Sequence, residues 1–119
     1  MTAGDIILID FPFTIPTQSK VRPAVVITET EDKYRALVVC AISSVVPSNL
    51  SSRDILLKKT HAAFKATGVR VDSVIKIDRI ATLRQSDVIT VLGSCTSTLW
   101  KEIANKFKSL VNTKPSQNS

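Results

Sequence analysis

The segment Leu37-Val38-Val39-Cys40-Ala41-Ile42-Ser43 decides the fold. All but its last residue are apolar, and it is too short for a packed helix. A run of this length and composition is a buried strand, and its lack of a polar face makes it central to its sheet. Upstream, Ala24 to Thr28 is a second strand opened by Pro23. Ile6 to Asp10 is another, bounded by Gly4-Asp5 and Pro12. Between them, Phe13 to Val21 carries Pro16, Thr17, Gln18 and Ser19 and reads as a loop. Downstream, Arg53 to Lys58 alternates polar and apolar residues. Ser73 to Ile77 is a fifth strand. Val88 to Leu92 is a short sixth, after a turn or short helix around Leu83 to Asp87.

Thr98 to Val111 changes period. Leu99, Ile103, Phe107, Leu110 and Val111 fall on one helical face, and Lys101, Asn105 and Lys108 on the other. Ser97 or Thr98 is the expected N-cap. No repeat or internal linker breaks the chain. The pattern predicts a mainly β, α+β protein: a small curled sheet or barrel of mostly antiparallel strands with a C-terminal helix. Residues 1–111 form a single domain, and the polar residues 112–119 a mobile tail.

The chain of 119 residues carries a net charge of +6, unevenly spread. Residues 1–32 hold two cations against five acids, and residues 33–119 hold fourteen against five. A small basic protein attracts polyanions, nucleic acid foremost, and an acidic protein partner competes for the same face. Cys40 and Cys95 are too few and too far apart for a disulfide framework or a thiolate zinc site. They read as small buried hydrophobes. The longest apolar run, Ala36 to Ile42, is far short of a membrane span, and the N-terminus lacks a signal peptide's basic region. A cytoplasmic location follows. Aromatic residues are 5%, which argues against a stacking platform for bases.

Metal-ligand clusters, phosphate-cradling glycine loops and cofactor motifs are missing from the sequence. Any chemistry falls to cations, hydroxyls and carboxylates, with no metal and no cofactor. Arg22 precedes Pro23 at the mouth of a strand that needs no guanidinium. It is a solvated strand end, half of an ion pair, or a phosphate ligand. Ser43 and Ser44 end the most apolar strand, where hydroxyls serve a turn or donate to a phosphate oxygen. Lys76 and Asp78, two apart in a strand, share a face as a surface salt bridge or an acid–base pair. Arg79 and Arg84 extend the basic character. His61 is a bystander in a loop or single helical turn. Phe11-Pro12-Phe13 plugs one end of the core.

Several segments together resemble the PemK/MazF family of toxin ribonucleases from type II toxin–antitoxin operons. They are Gly4-Asp5-Ile6-Ile7-Leu8-Ile9-Asp10-Phe11-Pro12-Phe13-Thr14, Lys20-Val21-Arg22-Pro23-Ala24-Val25-Val26-Ile27, the strand end Ala41-Ile42-Ser43-Ser44, and Asp72 to Leu83. The resemblance covers roughly residues 3–111. It implies a small SH3-like barrel of the CcdB/Kid/MazF kind with a C-terminal helix, as a homodimer. It also implies metal-independent, sequence-specific cleavage of single-stranded RNA, and inhibition by a cognate acidic antitoxin. Arg22 falls on the family's motif arginine and Ser43 on a position that is Thr in the best-matching members. Lys76 and Asp78 fall on a basic–x–acidic pair proposed as acid and base in one branch, where the first residue is Arg. The resemblance thus makes Arg22, Ser43, Lys76 and Asp78 catalytic, with Lys20, Ser44, Arg79 and Arg84 binding RNA around them. The loop before Arg22 is short and lacks the histidine of some members.

Two other functions are weighed against this one. A gyrase-binding toxin of the same fold uses its C-terminal tail, but Thr113 to Ser119 offers no bulky anchor. An RNA-binding module without cleavage needs more aromatic surface than this chain has.

Overall fold

The computed structural model describes residues 1–10, 21–112 and 115. Six strands form one antiparallel sheet: β1 (Asp5–Asp10), β2 (Val21–Glu29), β3 (Leu37–Ser43), β4 (Asp54–Leu57), β5 (Ser73–Leu83) and β6 (Val88–Ser94). Their spatial order is β4-β5-β3-β2-β1-β6, so β3 is interior, as its unbroken apolar run requires. A short helix, α1 (Phe64–Thr67), precedes β5, and α2 (Ser97–Val111) ends the chain. The expected α+β, mainly β architecture is the one observed. The sheet is not a closed barrel, because β4 and β6 lie at opposite ends of the order.

Both faces of the sheet are nevertheless buried. Ile6, Val25, Ile42, Ile75 and Ile77 pack on one side with Leu99 and Ile103 of α2. Ile7, Ile9, Val26, Val39, Ala81 and Leu83 pack on the other, where the cluster contains no helical residue. A flat sheet leaves that second face wet. Here the sheet curls so that β1 and the far half of β5 meet across it. β5 is longer than the sequence suggests and carries an irregularity that aids the bend. Ala41 pairs with Lys76 but Cys40 with Ile80, leaving Ile77, Asp78 and Arg79 outside the β3 ladder.

Pro23 sets the other irregularity. It lies within β2, which starts earlier than the expected Ala24, and it has no amide hydrogen to give. Toward β1 the pairing continues through Arg22 and Ile9 to Val21 and Asp10. Toward β3 it stops at Ala24 and Ala41. The ends of β2 and β3 beyond that point border open space.

The α2 N-cap is Thr96 instead of Ser97 or Thr98. Its extended backbone lets its hydroxyl accept from the Leu99 amide at 3.2 Å. Leu99 and Ile103 are buried and Phe107 packs against them, but Val111 is 75% exposed, one residue past the reach of the sheet. No helix among the described residues is long and apolar enough to cross a membrane. Lys20 and Phe11-Pro12-Phe13 lie outside the described residues, as does most of the tail.

Candidate active site

The gap beyond Pro23 is a hollow of about 680 Å³. Leu8, Pro23, Ile42, Val69 and Leu92 give it apolar walls, while Arg22, Arg70, Ser44 and Ser73 bring polar groups to it. Arg22 is half-buried, and its Nε is buried without a hydrogen-bond partner. An orphaned buried donor costs about 1–3 kcal/mol, more when charged. Because Arg22 also lines the hollow, its positive charge acts on whatever enters it.

The sequence candidates separate into three groups. Arg22 and Ser44 line the hollow. Ser43 is buried, and its hydroxyl accepts from the Val45 amide at 3.1 Å, closing the turn after β3. Strand alternation turns Ser43 to the face opposite Ile42 and Ser44, the face it shares with Ala41 and Lys76. The β2–β3 ladder ends at Ala24 and Ala41, so neither Arg22 nor Ser43 is paired across it.

Lys76 and Asp78 form the second group, but each has its own partner. Lys76 Nζ lies 3.4 Å from Asp54 Oδ1, its cross-strand neighbour on β4. Asp78, half-exposed in the β5 irregularity, lies 4.0 Å from Arg53. The side-by-side pair expected from spacing two apart is therefore replaced by two cross-strand pairs, because the irregularity redirects β5 after Ile77. Burial by itself raises the Asp54 carboxyl. The Ser51 amide, at 2.9 Å, and the Lys76 ammonium outweigh it and hold the carboxyl below its ordinary value. Arg79 sits exposed in the same irregularity. Two strand spacings, about 10 Å, separate this group from β2.

Arg84 is apart from both. It follows Leu83, which pairs with Leu37 at the end of β3 remote from Ser43. Its guanidinium donates to Asp87, whose carboxylate also accepts from the Arg84 amide at the start of the 3₁₀ turn Gln85–Asp87. The register puts its proposed RNA contact at the opposite end of β3 from Ser43.

Asp54 and Arg70 were not singled out by sequence. Asp54 immediately precedes the apolar run Ile55-Leu56-Leu57, a signal that gains meaning only once β4 is registered against Lys76. Arg70 has no local signal. The remaining reactive types are structural. His61 Nδ1 accepts from the Ala63 amide. Burial pushes the Cys40 thiol up to about 12 and the Cys95 thiol to about 11.

A curled antiparallel sheet with a C-terminal helix, and two arginines lining a hollow at one end, defines a small α+β protein. Residues 2–111 match the family described as PemK-like, MazF-like toxin of type II toxin–antitoxin system, and the chain belongs to that family. Solved structures agree. MazF from Deinococcus radiodurans superposes with a TM-score of 0.66 at 17% identity, covering 95% of this chain and 97% of that one. The MazE–MazF complex from the same organism gives 0.67 at 18%, covering 96% and 97%. An endoribonuclease in complex with its cognate antitoxin from a mycobacterial species gives 0.66 at 10%, covering 98% and 97%. At such identities the likeness is one of fold. No curated protein sequence matches the chain.

Proposed function

We propose that the protein is a metal-independent, sequence-specific endoribonuclease toxin that cleaves single-stranded RNA. The observation that carries this reading is the buried, unpartnered Nε of Arg22 beside a hollow large enough for a nucleotide. The ribose supplies its own nucleophile. Its 2′-oxygen attacks the adjacent phosphorus, the bond from phosphorus to the 5′-oxygen breaks, and the products are a 2′,3′-cyclic phosphate and a 5′-hydroxyl. One proton leaves the 2′-hydroxyl and one reaches the 5′-oxygen, so no water or electron is consumed.

Arg22 holds the phosphate. Its planar fork matches two phosphate oxygens and keeps its charge throughout. As the negative charge on those oxygens grows, the attraction grows with it, which lowers the barrier. Ser43 keeps the strand end in register, and Ser44 brings a hydroxyl to the hollow. The scissile phosphate lies between Arg22 and β5, where Lys76, released from Asp54, gives a proton to the leaving oxygen. Asp78 receives the 2′-proton, since Asp54 is committed to the Ser51 amide while Asp78 has only a 4.0 Å contact with Arg53. The working form is a cytoplasmic homodimer of the 1–111 domain, restrained by an acidic antitoxin that competes for the basic surface.

Purified protein incubated with mixed-sequence RNA in EDTA tests the reading. Cleavage to cyclic-phosphate ends, lost in Arg22→Ala, is the expected result. A mobility shift without cleavage makes the protein a binding module. Neither cleavage nor binding leaves the gyrase-type toxin.

A further inference from the structure

We infer that the hollow at the open end of β2 and β3 seats one nucleotide of the RNA, with Arg70 holding a phosphate that flanks the scissile one. The inference rests on the ribonuclease reading above and adds a residue to it.

Arg70 and Arg22 line the same hollow, and no Asp or Glu is among the described residues around it. The only charged side chains among its described lining residues are therefore cationic. The side chain of Arg70 is exposed and makes no hydrogen bond or ion pair with another described residue. Arg35, Arg53 and Arg84, in contrast, each face a carboxylate. An unengaged guanidinium on the rim is available to a ligand at no cost in broken pairs.

The backbone beneath Arg70 is fixed. Gly68 adopts φ +76°, and a Cβ there would come within 2.2 Å of the Leu92 carbonyl oxygen. A Cβ on Gly93 would meet the Ala66 carbonyl oxygen at the same distance. The two glycines let the segment after α1 lie directly on β6. Val69 is then buried in the core, and Ser73 Oγ donates to the Val71 carbonyl at 2.8 Å. Arg70 projects from a short arch held at both ends, the kind of support a positioning residue needs.

The walls explain the rest of the ligand. Leu8, Pro23, Ile42, Val69 and Leu92 present apolar surface suited to the faces of a base, and Ser44 supplies a hydroxyl. The hollow's size lies within the ~300–1,000 Å³ of small-ligand sites. An RNA strand whose scissile phosphate rests on Arg22 has its neighbouring nucleotide beside this opening, which favours RNA over a protein segment as occupant.

The test measures binding of a fluorescent single-stranded RNA, made uncleavable by 2′-O-methyl groups, to the wild type, Arg70→Ala and Arg70→Lys. Steady-state cleavage of the unmodified RNA runs beside it. Arg70→Ala should raise Kd and KM about tenfold, with kcat changed less than about threefold, and Arg70→Lys should recover part of the loss. The slope of log Kd against log salt should flatten by about 0.7, the mark of one lost phosphate contact to a single strand. A merely structural role would not move that slope selectively. If the wild type cleaves RNA but Arg70→Ala matches it in Kd and slope, the inference is overturned while the ribonuclease reading stands. Unchanged RNA binding with lost affinity for an acidic apolar peptide also overturns it, making the hollow a protein-docking site. A wild type that neither binds nor cleaves RNA removes the ribonuclease reading and the inference together.

Discussion

Arg22 and Ser43 both lie just beyond the end of the β2–β3 ladder but differ in what they have left to offer. The Arg22 Nε has no partner, whereas the Ser43 hydroxyl already accepts from the Val45 amide. Arg22→Ala should therefore lower kcat/KM at least tenfold, the equivalent of about 1.5–3 kcal/mol for a charge-assisted contact. Ser43→Ala should cost less, because water can replace its bond to the exposed turn. Equal rates for Arg22→Ala and wild type on RNA would reverse this ranking. Asp54 carries a second prediction at this scale. Its carboxyl is held below its ordinary value of 3.8 in the folded protein despite burial. Its charge therefore contributes stability that is fully present above the unfolded value and is lost as pH falls through the lower, folded value. Asp54→Asn should be less stable than wild type near neutrality, by on the order of 1–3 kcal/mol. Urea unfolding from pH 7 into acid should show the gap closing. A gap that stays constant would mean that the charge on Asp54 contributes nothing.

Packing between elements depends on positions where no side chain fits. α1 and the Gly68 turn rest on β6 only because Gly68 and Gly93 lack a Cβ. Gly93→Ala should destabilise the fold by about 1–3 kcal/mol, the usual cost of overpacking, read as a lowered urea midpoint. An unchanged midpoint would mean that α1 is free to move off β6. These same contacts mark the limit of what sequence reveals. β1, β3 and β4 were legible because apolar runs and their breakers are local signals. The end of the β2–β3 ladder was half-legible: Pro23 was visible, but its consequence, an opening on one side only, needs two neighbouring strands to be placed. The β5 irregularity was not legible at all, since nothing in Ile77-Asp78-Arg79 announces that β3 passes it by. For that reason Lys76 and Asp78 read as one pair and prove to be two. Arg84 shows the converse. It is close in sequence to the basic cluster, yet β5 runs antiparallel to β3 and carries it to the far end. Arg22 was legible through its motif, and Asp54 and Arg70 required the register.

At the scale of the whole molecule, charge and exposed apolar surface make opposite demands on salt. Each copy carries +6, and Ile89 and Val91, on the edge strand β6, are each half exposed or more. Apolar surface on that scale in so small a chain favours association with a second copy. Two copies of like charge repel, and salt screens that repulsion within about 10 Å at 0.1 M. Dimerisation should therefore tighten as salt rises. RNA binding should weaken over the same range, because each phosphate contact releases counterions. Sedimentation equilibrium at micromolar protein should give twice 13.0 kDa, with a dimer dissociation constant that falls between 50 and 500 mM salt. RNA affinity should fall across the same series. A 13.0 kDa species throughout would exclude the homodimer and confine the nucleotide seat to a single chain. A dimer that dissociates as salt rises would instead place ion pairs, and not Ile89 and Val91, at the contact between copies.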